Sequence, residues 1–248
     1  MTYRIAVLKI GGSVLTGPDA CRRAAEFIAG RLRACPDERI VAVVSAEIGV
    51  TDLLLAAARD IVEDPAPSTL DLLWSTGELR STALLALWLQ STGIDVAAAN
   101  VHQAGLVYSS DSRGPGSSRL RPLRLRALLA AHEVVVAPGF LARGAGDALV
   151  SLGRGGSDLT AVLLADSLGA VRCELLKDVP GYFTADPKRD PDARPLPSLS
   201  FARALDMAEQ GCELVQRHAL VAARALGLPI VVGAIGHDTR TVIEDCPA

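Results

Sequence analysis

Lys9-Ile10-Gly11-Gly12-Ser13 brings an ammonium, two glycines and a hydroxyl together in one short run. Glycines let the backbone approach a phosphate closely, the start of a following helix offers unpaired amides, and the lysine adds a point charge. The run is not a Walker A loop, because its lysine precedes the glycines, and it does not match G-x-G-x-x-G. Taken alone it fits equally a tight strand-to-helix turn beside a solvent lysine.

A second run, Gly153-Arg154-Gly155-Gly156-Ser157-Asp158, opens a helical stretch. Asp158 suits the first turn of that helix, where a carboxylate meets free N–H groups. Arg154 among glycines is a candidate bidentate clamp for a substrate carboxylate. A third run, from Lys177-Asp178-Val179-Pro180-Gly181 to Lys188, follows a strand. It therefore overlies the carboxyl edge of a sheet, where open α/β folds bind ligands, or else it is a long ordered surface loop.

These runs need strands and helices to hold them. Strand patterning predicts strands over 5–10, 40–45, 95–99, 134–137, 172–176 and 230–232. Helical spacing predicts helices over 19–34, 51–62, 69–92 with an interruption near Gly77, 123–131, 158–168, 200–208 and 212–225. The segments 109–118 and 142–147 read as loops, and Asp64-Pro65-Ala66-Pro67 breaks the chain. Strands alternating with helices predict an α/β fold, a mainly parallel central sheet with helices on both faces in an αβα sandwich.

Composition excludes several classes. Lys and Arg number 25 against 28 Asp and Glu, which leaves no basic footprint for nucleic acid. The five cysteines are scattered with no C-x-x-C pair, so buried inert thiols are expected instead of a disulfide framework or a zinc site. The histidines His102, His132 and His237 lack metal-ligand spacing. No apolar stretch is long enough for a membrane span and no signal peptide is evident, so a cytoplasmic protein is expected. Trp74 and Trp88 sit in Ala/Leu-rich helical sequence and are expected to pack in a core or interface.

Together the runs resemble the aspartate kinase branch of the amino acid kinase family over nearly the whole chain. The family's K-x-G-G-[ST] is similar to Lys9 to Ser13, and its S-A-x-x-G-x-T-[DN]-x-L to Ser45-Ala46-Glu47-Ile48-Gly49-Val50-Thr51-Asp52-Leu53-Leu54. Its S-[TA]-G-E is similar to Ser75-Thr76-Gly77-Glu78, its Q-A-G to Gln103-Ala104-Gly105 and its P-G-F to Pro138-Gly139-Phe140. L-G-R-G-G-S-D-x-T-A recurs from Leu152 to Ala161, D-V-x-G-x-[YF]-T-A-D-P-[RK] from Asp178 to Lys188, and L-S-[FY] at Leu199-Ser200-Phe201.

The resemblance implies a single amino acid kinase domain over 1–248, with an acceptor lobe over about 1–145 and a nucleotide lobe over about 146–248. It implies ATP and Mg²⁺ as cofactors, a small amino acid as acceptor and a homodimer. Lys9 would neutralise charge on the transferred phosphoryl group, with Gly11, Gly12 and Ser13 as donors around it, and Asp158 would organise Lys9. Arg154 would hold an acceptor carboxylate and Glu78 its ammonium, while Ser45 and Thr51 add hydrogen bonds. Asp178, Tyr182 or Phe183, and Lys188 would contact the nucleotide. The implied reaction phosphorylates a carboxylate, with aspartate or a close analogue from a specialised pathway as acceptor. The rivals are a kinase of the same fold acting on an alcohol, phosphate or phosphonate, and a catalytically silent nucleotide-binding or regulatory subunit. Arg154 with Glu78 favours an amino acid, and intact Lys9 and Asp158 oppose a silent subunit.

The chain also departs from the family. At Gly211-Cys212-Glu213-Leu214-Val215-Gln216-Arg217-His218-Ala219, Glu213 replaces a family lysine and His218 an arginine, so a cation is lost or moved. Lys177 stands where Thr or Ser is frequent, either touching phosphate or adenine or standing in solvent. His218 is expected to be a helix-surface or packed imidazole. Glu47 either selects a cationic substrate group or faces water. No segment resembling the family's ACT regulatory modules follows, so feedback control through them is not expected.

Overall fold

The computed structural model describes residues 3–109, 119–153, 155–187 and 189–245. Strand β1 (Arg4–Ile10) is buried at every position after Arg4. A parallel strand covered on both faces needs apolar side chains at successive positions, which is why it reads as a continuous run with Lys9 as its one charged interior residue. Helix α1 (Pro18–Ala34), strand β2 (Glu38–Val44), helix α2 (Val50–Arg59) and helix α3 (Pro67–Ser91) follow. Next come β3 (Val96–Ala98), the single turn α4 (Val101–Ala104), β4 (Leu106–Ser109), β5 (Arg119–Pro122), α5 (Leu125–Ala131) and β6 (Val134–Pro138). The rest comprises β7 (Leu141–Arg143), β8 (Leu149–Ser151), α6 (Gly156–Leu168), β9 (Arg172–Leu176), β10 (Ser198–Leu199), α7 (Phe201–Glu209), α8 (Arg217–Leu226), β11 (Ile230–Gly233) and β12 (Arg240–Ile243).

Eight strands form one sheet in the order β10-β12-β11-β9-β1-β2-β6-β3, and every pairing is parallel except β11 with β12. Alternation along the strands divides the interior into two cores. Ile5, Val7, Val41, Val43 and Leu175 join the core that includes α6 and α8, whereas Leu8, Ile10, Ile40, Ala42 and Val44 face α1 and α3. This is the predicted α/β sandwich. Helix α6 is buried at every residue from Gly156 to Ala165, because it lies between β1 and β9 on one side and α8 and β5 on others.

Several expectations need correction. The predicted loop 142–147 belongs to a hairpin, β7 pairing antiparallel with β8, in a second sheet ordered β5-β4-β7-β8. The predicted loop 109–118 lies outside the described residues after Ser109, which ends β4. Helix α3 runs through Gly77 without interruption, and glycine there lets α2 pack close, since a Cβ would lie 2.9 Å from Val50 Cγ1. The predicted helix 212–225 begins only at Arg217. Among the described cysteines, Cys21 and Cys173 are buried with their thiol pKa values pushed up by burial, while Cys35 and Cys212 are partly exposed. Among the described residues no helix is long and apolar enough to cross a membrane.

Candidate active site

Lys9 is positioned by the same alternation that fills the core. Residues 5, 7 and 9 of β1 share the face covered by α6, so the ammonium follows two apolar side chains and meets the first turn of that helix. Its Nζ lies 2.9 Å from Asp158 Oδ1, and both side chains are almost fully buried. Lys177, one residue beyond β9, reaches the same carboxylate, with Nζ 2.8 Å from Oδ2 and 3.0 Å from Oδ1. The backbone N–H of Gln216 also donates to Oδ2, at 3.3 Å. Because β1 and β9 are parallel neighbours, the two lysines rise from adjacent strand ends.

Burial opposes ionisation of Asp158, but Lys9 and Lys177 outweigh it and hold the carboxyl below its usual range. Burial and the charge of Lys9 lower Lys177 to about 8, against the pull of Asp158. At neutral pH, Asp158 is therefore an anchor for cations and a poor proton acceptor. Lys177 is not the solvated loop lysine that its place after a strand allows.

A cavity of about 440 Å³ opens over this trio, lined also by Ser45, Thr51, Glu78, Trp74 and Phe140. Ser45 ends β2's apolar run, Thr51 lies in the first turn of α2, and Glu78 projects from α3. Glu78 is 4% exposed, and its Oε2 has no hydrogen-bond partner among the described residues. Burial pushes its carboxyl up to about 8, only partly offset by the Ala46 N–H and by Lys9. A neutral acid with an unused oxygen is suited to receive a cationic group.

Close backbone approach builds the walls. A Cβ on Gly12 would lie 2.3 Å from the Ala46 carbonyl oxygen, so glycine lets the first loop rest on the loop that carries Ser45. Phe140 has φ of 65°, a conformation that costs about 1–3 kcal/mol for a residue with a side chain. It is held there as its N–H donates to Thr160 Oγ1 at 3.1 Å. Its ring meets Trp74 edge to face with centroids 5.7 Å apart.

On the other side of β1, Gly11 N–H donates to the Leu176 carbonyl and Ser13 Oγ donates to Asp178 Oδ1 at 3.3 Å. A second cavity of about 590 Å³ is lined by Tyr182, Phe183, Asp186, Met207 and Leu214 among others. Tyr182 is 1% exposed and belongs to the core, while Phe183 is partly exposed. Arg154 and Lys188 lie outside the described residues.

The structure places three residues that depart from the family pattern. Glu47 accepts from the Gly17 N–H at 2.9 Å and pairs with Arg80, so it neither enters the cavity nor simply faces water. His218 is half-buried beside the Gly155 backbone, with burial lowering its pKa, and Glu213 is exposed. Among the described residues no cluster of three or more His, Cys, Asp or Glu is arranged to hold a metal.

A match to the amino acid kinase family covers residues 4–234. The chain belongs to the amino acid kinase family. An aspartokinase from Mycolicibacterium smegmatis is 36% identical over 250 residues, covering 98% of this chain and 59% of that protein. The aspartate kinase from Synechocystis superposes with a TM-score of 0.86 at 32% identity, covering 98% of this chain and 40% of that one. Aspartokinase III of E. coli, solved with aspartate and ADP, gives 0.77 at 25% identity, covering 98% of this chain and 65% of its own. The chain thus spans less than two thirds of each relative.

In this member of the amino acid kinase family, the structure brings Lys9, Asp158, Lys177, Ser45, Thr51 and Glu78 to one cavity. Asp178 and Ser13 lie beside it, and Phe183 lines the separate cavity. Sequence reading missed Trp74, which sits four residues before Glu78 and so shares its helical face. It also missed Gln216, which contributes through a backbone N–H that no residue type announces.

Proposed function

We propose that this chain transfers the γ-phosphoryl group of ATP to the side-chain carboxylate of aspartate, giving the acyl phosphate aspartyl 4-phosphate. The observation that carries the reading is the buried Lys9–Asp158–Lys177 group at the floor of a cavity that also contains Glu78. The cations suit a migrating phosphoryl group, and the buried acid suits an amino acid's ammonium. The E. coli relative's complex with aspartate and ADP supports the same pairing of ligands.

In this proposal Glu78 pairs with the acceptor ammonium, Arg154 clamps a carboxylate, and Ser45 and Thr51 add hydrogen bonds. Lys9 stabilises charge on the phosphoryl oxygens, helped by the Gly12 backbone and by Ser13, while Asp158 orients Lys9; the Gly11 N–H, expected as a further donor, is engaged by the Leu176 carbonyl. The acceptor is already ionised at neutral pH, so no general base is needed. Rate comes from in-line positioning and electrostatics. Asp178, Phe183 with Tyr182 behind it, and Lys188 make up the nucleotide side, and residues near 146 divide the two lobes.

Mg²⁺ belongs to the proposal as a nucleotide-borne ion that would neutralise phosphate charge. The described residues offer no all-protein cage, which fits an ion carried largely by phosphates and water. Asp178, which accepts from Ser13 Oγ on the Gly11-Gly12-Ser13 side, is the carboxylate that would share it in this reading.

A cytoplasmic homodimer completes the reading. Leu72, Leu79 and Leu87 are exposed along one side of α3, with Leu53 exposed on the adjoining α2, a face suited to a second copy. Sedimentation of a Leu72→Glu, Leu79→Glu variant as a monomer beside a dimeric parent supports that face, and a dimeric variant excludes it.

The reaction is tested by ATP turnover over a panel of amino acids and small alcohols with hydroxylamine present. Hydroxamate with aspartate supports the proposal. ADP release without hydroxamate moves the acceptor to another oxygen, and nucleotide binding without turnover leaves a silent subunit.

A further inference from the structure

Asp158 is satisfied more than once. Lys9 alone balances its charge, and the Gln216 N–H occupies Oδ2, yet Lys177 brings a second buried ammonium to both oxygens. The three side chains sum to a surplus positive charge in a place where an unmatched charge is costly. Glu78 does little to cancel that surplus, because its carboxyl is pushed up to about 8 by burial. The surplus is explained if the cavity is completed by an anion that arrives with the ligands.

Lys177 also has a location that Asp158 does not share. It lines the cavity that contains Glu78 and, from its other side, a smaller cavity of about 190 Å³ bounded by Ser13, Asp178 and His237. It therefore stands on the partition between the acceptor side and the Gly11-Gly12-Ser13 side of the site. A group passing between the two would cross its ammonium.

We propose that Lys177 is a second catalytic cation, which contacts the migrating phosphoryl group opposite Lys9 and accompanies it from the nucleotide to the acceptor. The inference deepens the kinase reading and rests on it. In the step, an oxygen of the acceptor carboxylate forms a bond to the γ-phosphorus as the bond from that phosphorus to the bridging oxygen of ADP breaks. The bridging oxygen leaves with the electron pair, and no proton changes hands. Lys9 and Lys177 face the equatorial oxygens from two sides, with Asp158 between them fixing their separation. Lys177 would thus stand within reach of both partners, while Lys9 meets the group from the cavity that contains Glu78.

The test compares Lys177→Met and Lys177→Arg with the parent, using calorimetric binding of Mg²⁺ with ADP and with a non-hydrolysable ATP analogue, alongside turnover. Removal of the charge is expected to lower kcat by about 100- to 1,000-fold, the range seen when one preorganised transition-state donor is lost. The acceptor KM changes little. The Met variant loses the parent's preference for the ATP analogue over ADP, while ADP affinity stays level, and the Arg variant recovers part of both losses. Parental kcat in the Met variant overturns the proposal, as does equal weakening of both nucleotides. If the parent makes no hydroxamate yet Lys177→Met still loses the analogue preference, the carboxylate acceptor fails and the role of Lys177 stands.

Discussion

Lys9 Nζ and Asp158 Oδ1 lie 2.9 Å apart, which joins the end of the first strand to the first turn of the central helix α6. Replacing Lys9 by Ala leaves Asp158 with Lys177 and the Gln216 N–H, so the carboxylate keeps partners and the fold is retained. Turnover is expected to fall by at least about 100-fold as charge stabilisation is lost. Steady-state kinetics beside a thermal melt checks this, and unchanged turnover removes Lys9 from the mechanism.

In the proposed reading, Glu78 ties acceptor binding to pH. With its carboxyl raised to about 8, the ligand-free site holds a proton that an incoming ammonium must displace. Acceptor KM should therefore fall as pH rises from 6 toward 8, by up to about tenfold per unit. Calorimetry in buffers of different ionisation enthalpy should register proton release at pH 7. A KM that is flat over this interval excludes the coupling.

The same group affects stability in the opposite sense. Between the ordinary glutamate value of 4.5 and about 8, the folded chain binds a proton that the unfolded chain has released. Stability contributed at this site thus falls as pH rises through that window, by at most about 1.4 kcal/mol per pH unit. Glu78→Gln should remove the slope, melt higher than the parent at pH 8 and bind the acceptor poorly. A variant that melts lower at pH 8 contradicts the assignment.

Glu47 braces the loop that carries Ser45, proposed to meet the acceptor, through the Gly17 N–H and Arg80. Glu47→Ala should raise acceptor KM without changing the order in which acidic, neutral and basic amino acids are accepted. A shift of preference away from basic acceptors would instead make Glu47 a selecting charge.

Gly155 has φ of 71°, and a Cβ there would lie 2.0 Å from Gln216 Cγ. Gly155→Ala therefore combines backbone strain of about 1 kcal/mol with a collision that displaces the residue whose N–H holds Asp158. Both melting temperature and kcat should drop. A variant with parental values for both would show that this loop adapts freely.

Strand β9 was legible to the residue, because Arg172 and Glu174 alternate with Cys173 and Leu175 ahead of a loop rich in Pro. Helix α6 was legible from its glycine-rich start, and Lys9, Asp158 and Glu78 from their motifs. The hairpin of β7 and β8 was not, since three-residue strands beside Gly144 and Gly146 look like turns in sequence. The burial of Lys177 was hidden for another reason. Residue type reveals neither which way a lysine points nor that a distant aspartate waits 2.8 Å away.

The division of each strand between two cores has a consequence for how such a protein can change. Lys9 shares a face with Ile5 and Val7, while Leu8 and Ile10 serve the opposite one. Inserting or deleting one residue in β1 ahead of Lys9 would turn the ammonium toward α1 and α3 and drive Leu8 or Ile10 against Asp158, wrecking packing and chemistry in a single event. Length variation is thereby shut out of the strand, and change at this site is left to the exchange of side chains around the cavity.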